Sequence, residues 1–156
     1  MSVIISTGSN LENRVAFLLE AKKLLSKNFK LIEESNIYES PAVDYLNQPD
    51  FLNQVLSFET PEISPEDFLQ EILSIELSLG RERLIDKGPR TIDIDILFWD
   101  NLVHQSANLQ IPHPRLFDRS FIVYPLKELT IFEKLSKEFS FSDTFENSAK
   151  IFSPNA

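Results

Sequence analysis

The run Gly88-Pro89-Arg90-Thr91-Ile92-Asp93-Ile94-Asp95-Ile96-Leu97-Phe98-Trp99-Asp100 sets two carboxylates two residues apart in a stretch otherwise rich in β-branched and aromatic side chains. In an extended strand alternate residues share a face. Ile92, Ile94, Ile96 and Phe98 are therefore expected on one side, and Asp93 with Asp95 on the other. Two carboxylates on one stiff face suit a hard divalent cation such as Mg²⁺, which takes oxygen ligands and keeps water or phosphate in the rest of its shell. Taken alone, a D-x-D pair is short and common, and a solvated outer strand face is the simpler account of it.

Other groups with chemical potential lie around this run. Five of the six arginines, Arg81, Arg83, Arg90, Arg115 and Arg119, fall between residues 81 and 119 of a chain whose formal charge is −9. That concentration suggests a local anion pocket, with salt bridging on a solvated face as the alternative. His113 stands between Pro112 and Pro114, which restrict the backbone on either side and so limit where the imidazole points. With Arg115 and Arg119 close by, a phosphate contact is one reading of it and an ordinary surface histidine the other. Upstream, Phe51 and Asn53 share a strand face. A ring that can stack and an amide that can both donate and accept would suit a flat heterocycle, although a core Phe and a turn-facing Asn account for them as well. Glu76 sits in the last turn of a predicted helix, where a carboxylate opposes the helix dipole and calls for a cationic partner such as Arg81 or Arg83, or for a functional role.

The 156 residues, 42% of them hydrophobic, suffice for one domain spanning 1–156 with a real core. The acidic balance, with a pI near 4.7, argues against a nucleic-acid or anionic-membrane surface. Cysteine is absent, which removes disulfides and thiolate metal sites. The apolar opening Val3-Ile4-Ile5 is too short for a signal segment or a membrane span, so a soluble, cytoplasmic protein is expected.

These groups must be positioned by regular elements. Residues 2–7 read as a buried strand, and Ser9 with Glu12 has capping-box spacing for a helix carrying Leu11, Val15, Leu18, Ala21 and Leu25 on one face. Residues 30–39 read as one strand, residues 40–50 as a two-proline loop, and residues 51–60 as another strand. Ser64-Pro65-Glu66-Asp67 starts a second helix that Gly80 ends, with Phe68, Ile72, Ile75 and Leu79 as its buried stripe. Residues 81–90 form a charged loop, a candidate lid, before the Asp strand. Residues 120–129 form a further buried segment, and the Phe-rich tail adds packing elements of unassigned type. The order β-α-β-β-α-β is that of the ferredoxin-like α+β sandwich: an antiparallel sheet with helices on one face, plus C-terminal additions. Phe51, Asn53, Asp93 and Asp95 would then share the other face, provided the strand pairing is in register.

Taken together, Gly8-Ser9-Asn10-Leu11, Gln48-Pro49-Asp50-Phe51-Leu52-Asn53, Glu76-Leu77 to Gly80-Arg81, Gly88-Pro89-Arg90-Thr91-Ile92-Asp93-Ile94-Asp95-Ile96 and Pro112-His113-Pro114-Arg115 resemble the 6-hydroxymethyl-7,8-dihydropterin pyrophosphokinases of the folate pathway, from about residue 2 to about residue 129. The resemblance implies transfer of the β,γ-diphosphate of ATP to the pterin hydroxymethyl group, with release of AMP. It implies two Mg²⁺ ions on Asp93 and Asp95, with Arg81 and Arg90 acting on the triphosphate and in the catalytic cycle. Arg83, Arg119 and His113 would contact the nucleotide, and Glu76 would match a nucleotide-site acid. On the pterin side, Phe51 and Phe121 would sandwich the ring, Asn53 would read its edge, and backbone groups of Ser40, Ala42 and Val43 would complete recognition. Phe51 stands where relatives commonly carry Tyr and Pro114 where some do, and the 81–90 loop is short and lacks the Trp that some carry before Gly-Pro. No G-x-x-x-x-G-K-[ST] occurs, so ATP would be held by arginines and metal without a P-loop. The partners expected are these two small molecules, in a monomer or weak homodimer. A non-catalytic ferredoxin-like binding module and a different metal-dependent nucleotidyl or phosphoryl transferase are the alternatives.

Overall fold

The structure, a computed structural model, describes residues 1–11, 13–42, 47–80, 91–145 and 148–153. Along the chain run β1 (Ser2–Ser9), α1 (Arg14–Ser26), β2 (Leu31–Glu34), β3 (Tyr38–Ser40), β4 (Phe51–Glu59), α2 (Pro65–Ser78) and β5 (Asp93–Trp99). They are followed by the small hairpin β6 (His104–Gln105) and β7 (Gln110–Ile111), then α3 (Ser120–Lys127), α4 (Phe132–Glu138) and β8 (Lys150–Ile151). The main sheet is antiparallel, in the order β5-β1-β4-β3-β8, with β2 also paired to β4. With β2 and β3 counted as one strand, this is the expected β-α-β-β-α-β order in an α+β arrangement.

Three expectations are corrected in detail. Residues 30–39 form two strands, because the chain breaks at Ser35. There the Ser35 hydroxyl accepts the Val55 N–H at 3.0 Å, and the Gln54 side chain donates to the Ser35 carbonyl at 2.7 Å. The first helix begins at Arg14, capped by Asn13, whose side chain accepts from the Ala16 N–H at 3.2 Å. Ser9 is unavailable as a cap because it ends β1, buried and paired with Leu52. The second helix starts as read: the Ser64 hydroxyl accepts the Asp67 N–H at 3.1 Å, Pro65 opens the first turn, and Gly80 beyond the last turn has φ +84°.

The third correction concerns Phe98. Across from β5, Ile5 pairs with Ile96 and Ile4 with Phe98, so Leu97 is an extra residue forming a bulge. The bulge reverses the alternation. Ile92, Ile94, Ile96 and Trp99 pack with α1 and α2 against Leu18, Leu25, Phe68 and Ile72, whereas Leu97 and Phe98 face the other side. That second face is not bare. Ile122, Leu126 and Leu135 of α3 and α4 cover Ile4, Val55, Leu97 and Phe98, so helices lie on both faces of the sheet. The tail joins this layer through its aromatic rings. Phe98 and Phe117 both contact Phe139, at 5.4 and 5.5 Å between ring centroids, and Phe117 and Phe132 both contact Phe141, at 5.2 and 4.9 Å.

Phe68 is fully buried between Phe29 and Trp99, with ring centroids 4.8 and 5.4 Å away. Phe68→Ala is expected to lower the unfolding free energy by about 3–5 kcal/mol in urea titration. A loss below about 1 kcal/mol would show that α2 does not close this core.

Candidate active site

The register of β1 decides which side chains meet. Gly8 lies opposite Asn53 on β4 and opposite Asp93 on β5, and Ser6 lies between Val55 and Asp95 in the same way. On the outer side of β4, Tyr38 faces Asn53 and Ser40 faces Phe51. Phe51, Asn53, Asp93 and Asp95 thus share one sheet face, but β4 and β5 are not neighbours: β1 runs between them, which separates the two strands by about 10 Å. Gly8 and Ser6 form the floor, and their small side chains leave that gap open.

The walls come from the second helical layer and the loops. His113 is fixed beside β5 by its N–H, which donates to the Leu97 carbonyl at 3.0 Å, and Arg115 and Arg119 follow on the way into α3. Ser6, Gly8, Ser40, Pro41, Gln48, Phe51, Asn53, Asp93, Asp95, His113, Arg115, Arg119, Phe121 and Ile122 together enclose a cavity of about 260 Å³. The loop side is tied to the end of β1 by the Asn10 amide, which donates to Gln48 Oε1 at 2.8 Å and to the Pro49 carbonyl at 3.1 Å.

Charge is divided across this cavity, with Asp93 and Asp95 on the sheet side and Arg115, Arg119 and His113 on the wall. Burial lowers the His113 pKa below the usual imidazole value, the Arg119 charge lowers it further, and Asp93 opposes the shift. The imidazole is therefore neutral at pH 7. Nδ1 accepts the Arg115 N–H at 3.3 Å, which leaves the proton on Nε2 as a donor. The Arg119 guanidinium lies 5.6 Å from the Phe121 ring centroid, holding a cation against one aromatic wall.

Two buried polar atoms at the other end have no hydrogen-bond partner among the described residues: Asn53 Oδ1 and Ser40 Oγ. The Asn53 amide nitrogen donates to the Thr7 carbonyl at 3.4 Å, so the group is oriented with its acceptor unused. An unmet buried acceptor costs about 1–3 kcal/mol, which a ligand N–H would recover. Asp93 and Asp95 are half-buried carboxylates on one face. No group of three or more metal-ligating side chains occurs among the described residues. Two carboxylates nevertheless fit Mg²⁺, which takes one or two protein ligands and fills its shell with water and phosphate.

Of the residues expected from sequence, Ser40, Phe51, Asn53, Asp93, Asp95, His113, Arg119 and Phe121 come together in the lining. Ala42 is buried next to Pro41 without lining the cavity. Glu76 is buried outside the lining as well, and its Oε2 accepts the Ile94 N–H at 2.8 Å, between the two aspartates. Arg81, Arg83, Arg90, Val43 and the candidate lid lie outside the described residues. Gly8, Ser6, Pro41 and Gln48 were not singled out as site residues. Gly8 and Gln48 do fall in the motif segments, whereas nothing in the pattern marks Ser6.

A family profile described as 7,8-dihydro-6-hydroxymethylpterin-pyrophosphokinase (HPPK) matches residues 4–131. A folic acid synthesis protein, fol1, of Pneumocystis carinii is 44% identical over 83% of this chain and 17% of its own length. The bifunctional protein FolKE of Lactococcus lactis strain IL1403 is 44% identical over 91% of this chain and 40% of its own. The chain thus spans well under half of either protein. The 2-amino-4-hydroxy-6-hydroxymethyldihydropteridine pyrophosphokinase of Aquifex aeolicus is 36% identical over 93% of this chain and 94% of its own.

A Cβ added at Gly8 would stand 2.5 Å from the Asn53 amide nitrogen. Gly8→Ala is expected to displace that amide, shifting its side-chain NH₂ resonance in a ¹⁵N spectrum while Tm falls by less than about 4 °C. An unmoved resonance would show that Asn53 does not lean over Gly8.

Proposed function

The chain belongs to the 7,8-dihydro-6-hydroxymethylpterin-pyrophosphokinase family, and from that premise we propose that it transfers the β,γ-diphosphate of ATP to the hydroxymethyl group of 6-hydroxymethyl-7,8-dihydropterin, giving AMP and the pterin diphosphate. The observation that carries this reading is the division of one cavity into an acid-and-cation end and an aromatic end with an unused amide acceptor.

At the aromatic end Phe51 and Phe121 take the two faces of the pterin, and Asn53 Oδ1 accepts from the N–H groups on its edge. Ser40 and Ala42, with Val43, complete that edge. At the polar end Asp93 and Asp95 would hold the two Mg²⁺ ions that the family resemblance implies. When bound there, the metal neutralises phosphate charge and lowers the pKa of the attacking hydroxyl. His113 donates from Nε2 to a phosphate oxygen, and Arg119 and Arg115 supply fixed positive charge along the triphosphate. By the resemblance, Arg81, Arg83 and Arg90 also serve the triphosphate, and Glu76 the nucleotide side. The hydroxymethyl oxygen attacks the β-phosphorus and gives up its proton to water as the new P–O bond forms, while the bridging oxygen leaves with AMP on the opposite side. Such a transfer needs little covalent help from the protein, so positioning and charge placement carry the catalysis.

No helix among the described residues is long and apolar enough to cross a membrane. The reading has the chain acting in the cytoplasm on these two small substrates, as a monomer or weak homodimer.

Mixing the chain with ATP, Mg²⁺ and hydroxymethyldihydropterin is expected to release AMP in step with pterin diphosphate, followed by ion-exchange chromatography; ADP, or no nucleotide product, would exclude the reaction. Asp95→Ala is expected to lower kcat by about 10²–10³-fold with Tm little changed, since this carboxylate serves charge placement and not the core. For Phe51→Ala the Kd for the pterin is expected to rise about tenfold and that for ATP to stay within about twofold, measured by calorimetry. Loss confined to ATP would place the ring on the wrong substrate.

A further inference from the structure

Outside the residues that line the cavity, one acidic side chain joins its two walls. Glu128 follows the last residue of α3, and it reaches a segment more than ninety residues earlier in the chain. One carboxylate oxygen accepts the Asn36 N–H at 2.8 Å and the Asn36 side-chain amide at 3.2 Å, and the other accepts the Tyr38 hydroxyl. Tyr38 is buried and pairs with Asn53, and two residues further along β3 is Ser40, which pairs with Phe51. At its opposite end α3 carries Arg119, Phe121 and Ile122, all of which line the cavity. The helix is about 12 Å long, with Pro125 in its last turn. Fastening its last turn to β3 therefore determines how far Phe121 stands from Ser40 and Phe51. The rings of Tyr38 and Tyr124 lie 6.4 Å apart along the same seam, and Tyr124 packs edge-on against Phe145 at 5.2 Å, so the junction is packed as well as hydrogen-bonded.

We propose that Glu128 is a positioning residue, which by holding Asn36 and Tyr38 sets the width of the slot between the α3 wall and the β3–β4 wall and so governs affinity for the flat heterocycle. This rests on the pterin reading of the aromatic end. Glu128 touches neither substrate, and its effect is expected to be larger on the pterin, which Phe121 and Phe51 would grip across the two walls, than on ATP, which Arg119 at the start of α3 shares with groups on β5. Asp93, Asp95 and His113 are held by β5 and its connection to β7, which this clamp does not reach.

A second link provides an internal control. The Glu33 carboxylate accepts the Thr130 N–H at 3.0 Å and the Thr130 hydroxyl at 3.1 Å, tying β2 to the chain just beyond α3 without engaging β3. General loosening of the helical layer would follow from loss of either carboxylate, whereas a change in slot width follows only from loss of Glu128.

The test measures KM for hydroxymethyldihydropterin and for ATP, together with Kd for 6-hydroxymethylpterin, in the full chain. Glu128→Ala and Glu128→Asp are expected to raise the pterin KM and Kd about fivefold with the ATP KM within about twofold, a loss of about one hydrogen bond. Glu128→Gln, which keeps the length and an acceptor, is expected to stay within about twofold of wild type. Should Glu128→Ala fold poorly, Tyr38→Phe removes a single hydroxyl from the same junction and is expected to move the pterin values in the same direction. Equal changes in both KM values, unchanged pterin binding, or the same selective loss in Glu33→Ala would each overturn the inference while leaving the proposed reaction standing. A wild-type chain that binds no pterin would remove the functional reading and this inference together.

Discussion

The antiparallel register of β1 against both β4 and β5 is the constraint on which the site depends. A strand can bring two neighbours into one cross-strand row only if its own residue in that row leaves room. Gly8 satisfies this between Asn53 and Asp93, and Ser6 between Val55 and Asp95. A shift by one residue would turn all of these side chains to the opposite face. The buried residues on both sides of β1, Val3 and Ile5 toward α1 and α2 and Ile4 toward α3 and α4, oppose such a slip. Core packing and site geometry are in this way two outcomes of one pairing.

The polar end gains its character from where its charges are fastened. Asp93 and Asp95 ride on a strand held from behind by Glu76, whose carboxylate takes the Ile94 N–H that would otherwise face outward at the sheet edge. His113 is attached to the same strand through the Leu97 carbonyl. Acid and imidazole are therefore positioned by one element, and their spacing does not depend on how the helical layer sits. The phosphate site proposed for a chain of net charge −9 rests on two arginines, Arg115 and Arg119, being gathered on one wall of a low-dielectric cavity.

Much of this was legible in the sequence. The helix start at Ser64-Pro65 and the stop at Gly80 are local signals, and local hydrogen bonding settles them. The grouping of Phe51, Asn53, Asp93 and Asp95 followed from period-two alternation and the expected strand order. What escaped depended on pairing between distant segments. Ser9 and Glu12 have cap spacing, yet Ser9 is claimed by its ladder with Leu52. The division of residues 30–39 into two strands depends on Gln54 and Val55 arriving from another strand. Phe98 left the isoleucine face because of a bulge that only the partner strand reveals. Ser6 was overlooked since a serine in an apolar strand carries no signal until its neighbours are known.

The bulge at Leu97 has a further consequence for how this strand can vary. Up to Ile96 the ribbon presents carboxylates to the cavity; beyond the bulge it presents Phe98 to the aromatic layer of the tail. One odd residue lets a single strand serve two masters on the same side. Substitution within either half is a local matter, but a change in length is not. Strict alternation through the same residues, with no bulge, would send either the aspartates or Phe98 to the wrong face, so a change in length must come with gain or loss of the bulge. Among relatives that keep this architecture, an aromatic three residues beyond the second aspartate thus calls for the bulge, and one two residues beyond it for an unbroken ladder.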